Sequence, residues 1–225
     1  PKTIFKKLKK IPPCNFLVIN KDDNSTHIHK YYDIEYSEEK SSEEYFLRQL
    51  PLSIEESVRT ILEYEFSRGS SVGAFLSGGT DSSTVTGMLK KLNGHVKTFS
   101  IGFDELGYNE LKYARITSKY FSSEHYEYIV TPDDVLKALD IILDVYDEPF
   151  GNASAVPTYY CALLAKEHSV DTLLAGDGGD EIFGGNERYA TNNIFSRYHK
   201  TPLFLRQGFI EPLLHLSPLF FPLIG

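Results

Sequence analysis

Hydrophobic and polar positions alternate along the chain in blocks that predict strands and helices in turn. Phe16-Leu17-Val18-Ile19 and the stretch Thr26–Tyr32 read as two short strands across the polar turn Lys21-Asp22-Asp23-Asn24-Ser25. A lone hairpin is marginal in water, so this one is expected to join a larger sheet. Residues 37–44 are polar and acidic. With Pro51 as a break, residues 37–52 are expected to be a linker. Ile54, Val58, Ile61, Leu62 and Phe66 then recur at helical spacing, which predicts a helix over Ser53–Ser67 ended by Gly69.

From Ser71 onward the blocks repeat as strand then helix. Strands are expected at Ser71–Leu76, Val96–Phe103, Glu124–Val130 and Asp171–Ala175. Helices are expected near Thr84–Leu92, Glu110–Phe121, Pro132–Val145 and Pro157–His168. Units of this length predict an α/β fold: a doubly wound parallel sheet with helices on both faces. In such sheets ligands sit beyond the carboxyl ends of the strands.

Two turns carry the candidate chemistry. The first, Ser77-Gly78-Gly79-Thr80-Asp81-Ser82-Ser83, lies between a predicted strand and a predicted helix. That arrangement aims backbone N–H groups and the positive end of a helix dipole at one spot, which suits a phosphate. It is no Walker-type P-loop, because no Lys-Ser/Thr pair closes it. The plainer reading is a strand-to-helix turn in which Asp81 or Ser82 caps the helix. The second turn, Gly176-Asp177-Gly178-Gly179-Asp180-Glu181, follows the last predicted strand and sets three carboxylates within five residues. Oxygen ligands so spaced suit Mg²⁺, which takes one or two carboxylates and keeps phosphate oxygens and waters. The plainer reading is a turn whose acids complement the next helix dipole.

Composition narrows the classes. The 225 residues are 41% hydrophobic and 24% charged, with a net charge of -8. The acidic balance argues against a nucleic-acid partner. Cys14 and Cys161 lie far apart and form no C-x-x-C, which fits a reducing, cytoplasmic setting without zinc or redox chemistry. His27 and His29 share a strand face but lack a third ligand. The apolar tail over 203–224 is broken by prolines and makes a poor membrane span, so no membrane role is expected.

The turn Ser77–Ser83 resembles the SGGxDS pyrophosphate loop of the ATP pyrophosphatases, a superfamily that includes asparagine, GMP and NAD synthetases and tRNA-thiolating enzymes. Gly176–Gly185 is similar to the G-(E/D)-G-x-D-E-x-F-x-G-Y element of asparagine and β-lactam synthetases, with Asn186 in place of the Tyr. Asp147-Glu148-Pro149-Phe150, Ser154–Thr158, Ser100–Phe103 and Asn109–Arg115 fit the same pattern, with Asn109 where Asp is usual. Residues 1–36 resemble the tail of a glutaminase domain, although Cys14-Asn15 replaces its Gly-His. Cys14 is not in the position of that domain's nucleophile.

The resemblance implies an adenine nucleotide alpha hydrolase-like (ATP pyrophosphatase) domain over 53–225, expected to be incomplete at its C-terminus. The family uses a lysine further downstream than these residues reach. It also implies a ligase that forms an amide. ATP adenylates a carboxylate, aspartate or a similar acid, pyrophosphate leaves, and ammonia attacks. The ammonia is free or glutamine-derived, supplied by a glutaminase domain or subunit. A homo-oligomer is an option.

By motif position, Leu76, Ser77, Gly78, Gly79, Asp81, Ser82, Ser83, Ile101, Ala175 and Gly176 are expected to hold ATP and pyrophosphate. Asp177, Asp180 and Glu181 are expected to serve catalysis, Asp81 and Asp180 to hold Mg²⁺, and Glu148 to touch substrate. The alternatives are a β-lactam-synthetase-like cyclase and a non-catalytic ATP-binding fragment.

Overall fold

The computed structural model describes residues 2–35, 41–104, 111–185 and 187–212. The chain divides into two compact units, Pro1–Ala175 and Gly176–Gly225.

The first unit opens with the hairpin β1 (Asn15–Ile19) and β2 (Thr26–Lys30). They pair antiparallel, with Phe16 opposite His29 and Ile19 opposite Thr26. Nearly every hairpin residue is exposed on both faces, as expected of strands without a covering layer. His29 stacks on Phe16 across the hairpin.

The helix that follows is longer than its periodicity predicts. α1 spans Glu43–Ser67, so residues 43–52 of the expected linker are helical. The acidic stretch read as a linker is a helix start. The Ser42 side chain accepts the Tyr45 N–H, Glu43 and Glu44 favour the positive helix end, and Glu44 pairs with Arg48 one turn on. Pro51 removes one intrahelical donor, but it does so on a solvent-exposed stretch of the helix where water can replace it.

A four-stranded parallel sheet forms the body of this unit, in the order β5-β4-β3-β6. Its strands are β3 (Val72–Phe75), β4 (Lys97–Phe103), β5 (Glu124–Val130) and β6 (Thr172–Leu174). α2 (Thr80–Asn93) and α3 (Leu111–Phe121) connect β3, β4 and β5. α4 (Pro132–Val145) and α5 (Ala155–Glu167) then carry the chain back to β6.

Both faces of the sheet are covered, which is why β3 and β4 read as apolar runs. On one face Val58 and Leu62 of α1 pack with Val72, Ala74, Leu89, Val96 and Leu174. On the other, Phe99 packs with Cys161, Ala165 and Val170, and Val130 with Ala138 and Tyr160. The expected doubly wound α/β sheet is therefore the fold of this unit.

The topology sets where a ligand sits. The chain moves outward from β3 through β4 to β5, then returns to lay β6 on the opposite side of β3. Strand order therefore reverses between β3 and β6, the switch point at which doubly wound sheets open a crevice. The entry to these two strands is latched. Ser71 N–H donates to Asp171 Oδ2 at 2.8 Å, and Ser71 Oγ donates to the Ser169 carbonyl at 2.7 Å.

The second unit holds α6 (Gly179–Phe183), α7 (Glu187–Lys200) and α8 (Leu203–Leu205), then a π-helical turn, Arg206–Ile210. Tyr198 donates to Glu211 at 2.6 Å and Arg206 stacks over its ring. Most of the predicted apolar tail, residues 213–225, lies outside the described residues, as do Asn109 and Asn186. Among the described residues no helix is long and apolar enough to cross a membrane.

Candidate functional site

The turn from β3 to α2 is built by its own hydroxyls. α2 begins at Thr80, earlier than the apolar spacing suggests, so Asp81, Ser82 and Ser83 lie in its first turn. Gly79 is the N-cap and no side chain caps the helix. Ser82 is buried and acts as a strut. Its Oγ accepts the Ser77 N–H at 3.2 Å and lies 2.9 Å from Ser77 Oγ. Ser77 Oγ in turn accepts the Gly79 N–H at 3.2 Å.

The amides of Thr80, Asp81 and Ser82 find no acceptor among the described residues. Three donors at the positive end of a 14-residue helix therefore open onto the strand end. Donors of this kind can take an anion, and here they are N–H groups more than hydroxyls.

Gly78 is fixed by two constraints. Its φ is +86°, and a Cβ there would fall inside the backbone of Tyr113 and Ala114 on α3. The turn thus lies directly on α3. Ser83 points the same way, its hydroxyl 3.1 Å from Thr117 Oγ1, so it braces α2 to α3. Leu76 is buried. Its N–H donates to the Phe99 carbonyl at 2.9 Å, and its own carbonyl accepts from Ser100 Oγ. Asp81 is half-buried.

A cleft of about 180 Å³ opens beside this turn. Phe75, Leu76, Ser77, Phe99, Ile101 and Cys161 line it, and Leu111 and Ala114 of α3 form one wall. Clefts of ~300–1,000 Å³ take a drug-sized ligand whole, so this one suits part of a ligand, such as a flat base, with the remainder outside. Leu76 and Ile101, expected to touch adenosine, are brought together here. Burial pushes the Cys161 thiol up to about 12, so it is an apolar lining group and no nucleophile.

Ala175 is exposed, directly after β6. Gly176 begins the second unit and accepts the Gly179 N–H at 3.3 Å. In that unit Gly178 (φ +92°) and Gly184 (φ +70°) bracket the single-turn helix α6, whose first turn holds Asp180 and Glu181. Asp177, Asp180 and Glu181 are exposed. Asp180 folds its carboxylate over Gly185, where a Cβ would collide with it. Desolvation first, then the charges of Glu181 and Asp180, raise the Tyr189 hydroxyl.

Glu148 is half-buried and paired with Lys10 of the N-terminal segment, a partner no sequence signal indicated. Sequence reasoning also missed Thr117, Ser100 and the polar group Thr98, His125, Glu127 and Arg115. Ser100 and Arg115 lie in segments that carry the family resemblance, but no spacing pairs any of these residues, and topology alone brings them together.

No group of three or more acidic, His or Cys side chains placed to hold a metal occurs among the described residues. Asp81 in the first unit and Asp180 in the second each offer a hard carboxylate oxygen, the ligand type Mg²⁺ takes beside phosphate oxygens.

The asparagine synthase family model matches residues 54–218. Over 96% of its length the chain is 29% identical to glutamine-hydrolysing asparagine synthetase 1 of Bacillus subtilis, covering 33% of that protein. Over 60% of its length it is 43% identical to a Methanocaldococcus jannaschii protein named as a candidate second glutamine-hydrolysing asparagine synthetase, covering 26% of it. A solved NMN synthetase from Francisella tularensis superposes with a TM-score of 0.40 at 14% identity, over 54% of this chain and 52% of that one. The chain belongs to the asparagine synthase family. It spans a third or less of the length of these two curated relatives.

Proposed function

We propose that this chain is the ATP-binding synthetase domain of an amide-forming ligase, with ATP and Mg²⁺ as cofactors. The observation that carries the reading is the turn Ser77–Ser83: three unpaired helix N–H groups at the β3 end of a sheet switch point, beside a base-sized cleft. Leu76 and Ile101 hold the adenosine. The amides of Thr80, Asp81 and Ser82 receive the pyrophosphate, with Ser77, Ser82 and Ser83 keeping the turn in shape.

Membership of the asparagine synthase family supports the rest. The acceptor is a carboxylate of the aspartate class. It is adenylated with release of pyrophosphate, and ammonia then attacks the acyl carbonyl and expels AMP. Asp177, Asp180 and Glu181 serve this chemistry, Ala175-Gly176 border the nucleotide, and Glu148 contacts substrate. Asp81 and Asp180 would hold Mg²⁺, which supplies charge neutralisation for phosphate oxygens. Residues 1–36 are the end of a glutaminase-type domain that supplies the ammonia. The exposed faces of the hairpin support this, because they lack a covering layer.

Calorimetry with ATP·Mg²⁺ tests the reading. Binding that weakens about tenfold or more in Asp81→Ala is expected, the scale of one lost charge-assisted contact. No binding, or binding indifferent to Asp81, refutes it. Pyrophosphate release dependent on aspartate and ammonia tests the ligase step, against larger amino acids as acceptors.

A further inference from the structure

The turn that receives the phosphates leans on α3, and α3 is held to the sheet in an unusual way. Its buried face is Leu111, Ala114 and Ser118, one large side chain and two small ones. Small residues let the helix lie close, close enough that Gly78 meets its backbone. They supply little apolar interlock to stop it sliding or turning.

Directional polar bonds take that role. Arg115 of α3 grips Glu127 of β5 with two bonds, Nε to Oε1 at 2.8 Å and Nη2 to Oε2 at 2.6 Å. Glu127 Oε1 also faces His125 Nε2 at 3.1 Å. His125 Nδ1 shares a 2.9 Å hydrogen bond with the hydroxyl of Thr98, which is fully buried in β4. The row Arg115–Glu127–His125–Thr98 thus runs from α3 across β5 into the sheet interior. His125 is only 10% exposed and Glu127 22%, whereas Arg115 is 62% exposed. The buried members anchor the row and Arg115 ties the helix to it.

We infer that Arg115 and Glu127 are positioning residues for the phosphate-binding turn. They fix α3, and α3 fixes the turn through the Gly78 contact and the Ser83–Thr117 hydrogen bond. The inference rests on the nucleotide reading for its ligand. The position of the turn itself is a property of the free protein.

The test uses the full chain as wild type, Glu127→Gln, Arg115→Lys and Thr117→Val, at a temperature where each is folded by circular dichroism. Two quantities are read: affinity for inorganic pyrophosphate with Mg²⁺, and hydrogen exchange of the hydrogen-bonded turn amides Ser77, Gly79 and Ser83 in the free protein. Expected are affinity about fivefold weaker in each variant, the size of one partly exposed ion pair or hydrogen bond, and faster exchange confined to these turn amides and α3. Equal affinity and equal exchange in folded variants overturn the inference. So does exchange that accelerates evenly over the sheet, because that marks general destabilisation. If wild type does not bind pyrophosphate, the nucleotide reading fails, and the exchange measurement still decides whether these residues hold the turn.

Discussion

Ser77 and Ser82 face each other across the β3–α2 turn with their hydroxyl oxygens 2.9 Å apart, and Ser82 also takes the Ser77 N–H. Two serines that a motif reader assigns to the ligand are spent on the shape of the turn. Their contribution to the proposed phosphate binding is preorganisation, since N–H groups held in place need not be ordered when the anion arrives. Ser82→Ala is therefore expected to weaken pyrophosphate binding about five- to tenfold, the size of one hydrogen bond of ~1 kcal/mol or slightly more. Titration calorimetry reads this directly. An unchanged affinity in the folded variant removes the strut role.

Gly78 is the least replaceable residue of the turn. Gly78→Ala imposes a left-handed strain of roughly 1–3 kcal/mol and drives a methyl group into α3. Urea denaturation is expected to show at least that loss of stability, together with loss of pyrophosphate binding. Gly94→Ala is the comparison. Gly94 also has positive φ, +71°, at the C-cap of α2, but has open space around it, so it should carry the strain alone.

Stability should fall with pH in two stages. Burial, working against the pull of Glu127, keeps the His125 imidazole below its ordinary value. The unfolded chain then binds the proton more readily, so stability is present above about pH 6.5 and declines as pH drops through it. Arg115 holds the Glu127 carboxyl below the ordinary carboxylate range, so its share is lost only at more acid pH. Urea midpoints measured from pH 8 to pH 4 check this. His125→Gln should flatten the first stage. A midpoint that does not move between pH 7.5 and pH 5.5 in wild type contradicts the assignment.

The two cysteines should separate cleanly by reactivity. Cys161 is buried in the cleft wall with its thiol pushed up to about 12, whereas Cys14 is half-buried beside the hairpin. Iodoacetamide on the native protein at pH 8 should label Cys14 at least tenfold faster than Cys161, since the thiolate is the reactive species. Peptide mass spectrometry gives the ratio. Comparable rates would show that the cleft opens to solvent far more than this packing allows.

The parts of the fold visible in the sequence are those with local causes. β5 falls on Glu124–Val130 and α4 on Pro132–Val145, as their patterns predict, because alternation and a Thr131–Asp134 capping box act within a few residues. α1 was half hidden because a start signal made of acids looks like a linker by composition. The turn Ser77–Ser83 was legible as a strand-to-helix turn, but the division of labour between its amides and hydroxyls was not. That division depends on which hydroxyl faces inward once the helix starts at Thr80. The row from Arg115 to Thr98 spans three elements, and no spacing in the sequence pairs its members.

The latch between Ser71 and Asp171 bears on how the molecule reaches this state. β3, β4 and β5 are joined by single helices, so their pairing closes short loops. Seating β6 beside β3 joins residues 100 positions apart. Contacts of that separation come late in folding, because the chain entropy of closing them precedes any gain. During synthesis the turn Ser77–Ser83 therefore acquires its α3 support well before β6 exists to flank it. The half-made sheet meanwhile carries β3 as an open edge, the kind of surface that invites pairing with other chains. Pulse-labelled exchange during refolding should show β4 and β5 protected before β6. Simultaneous protection would place the closing of that edge inside the first folding event.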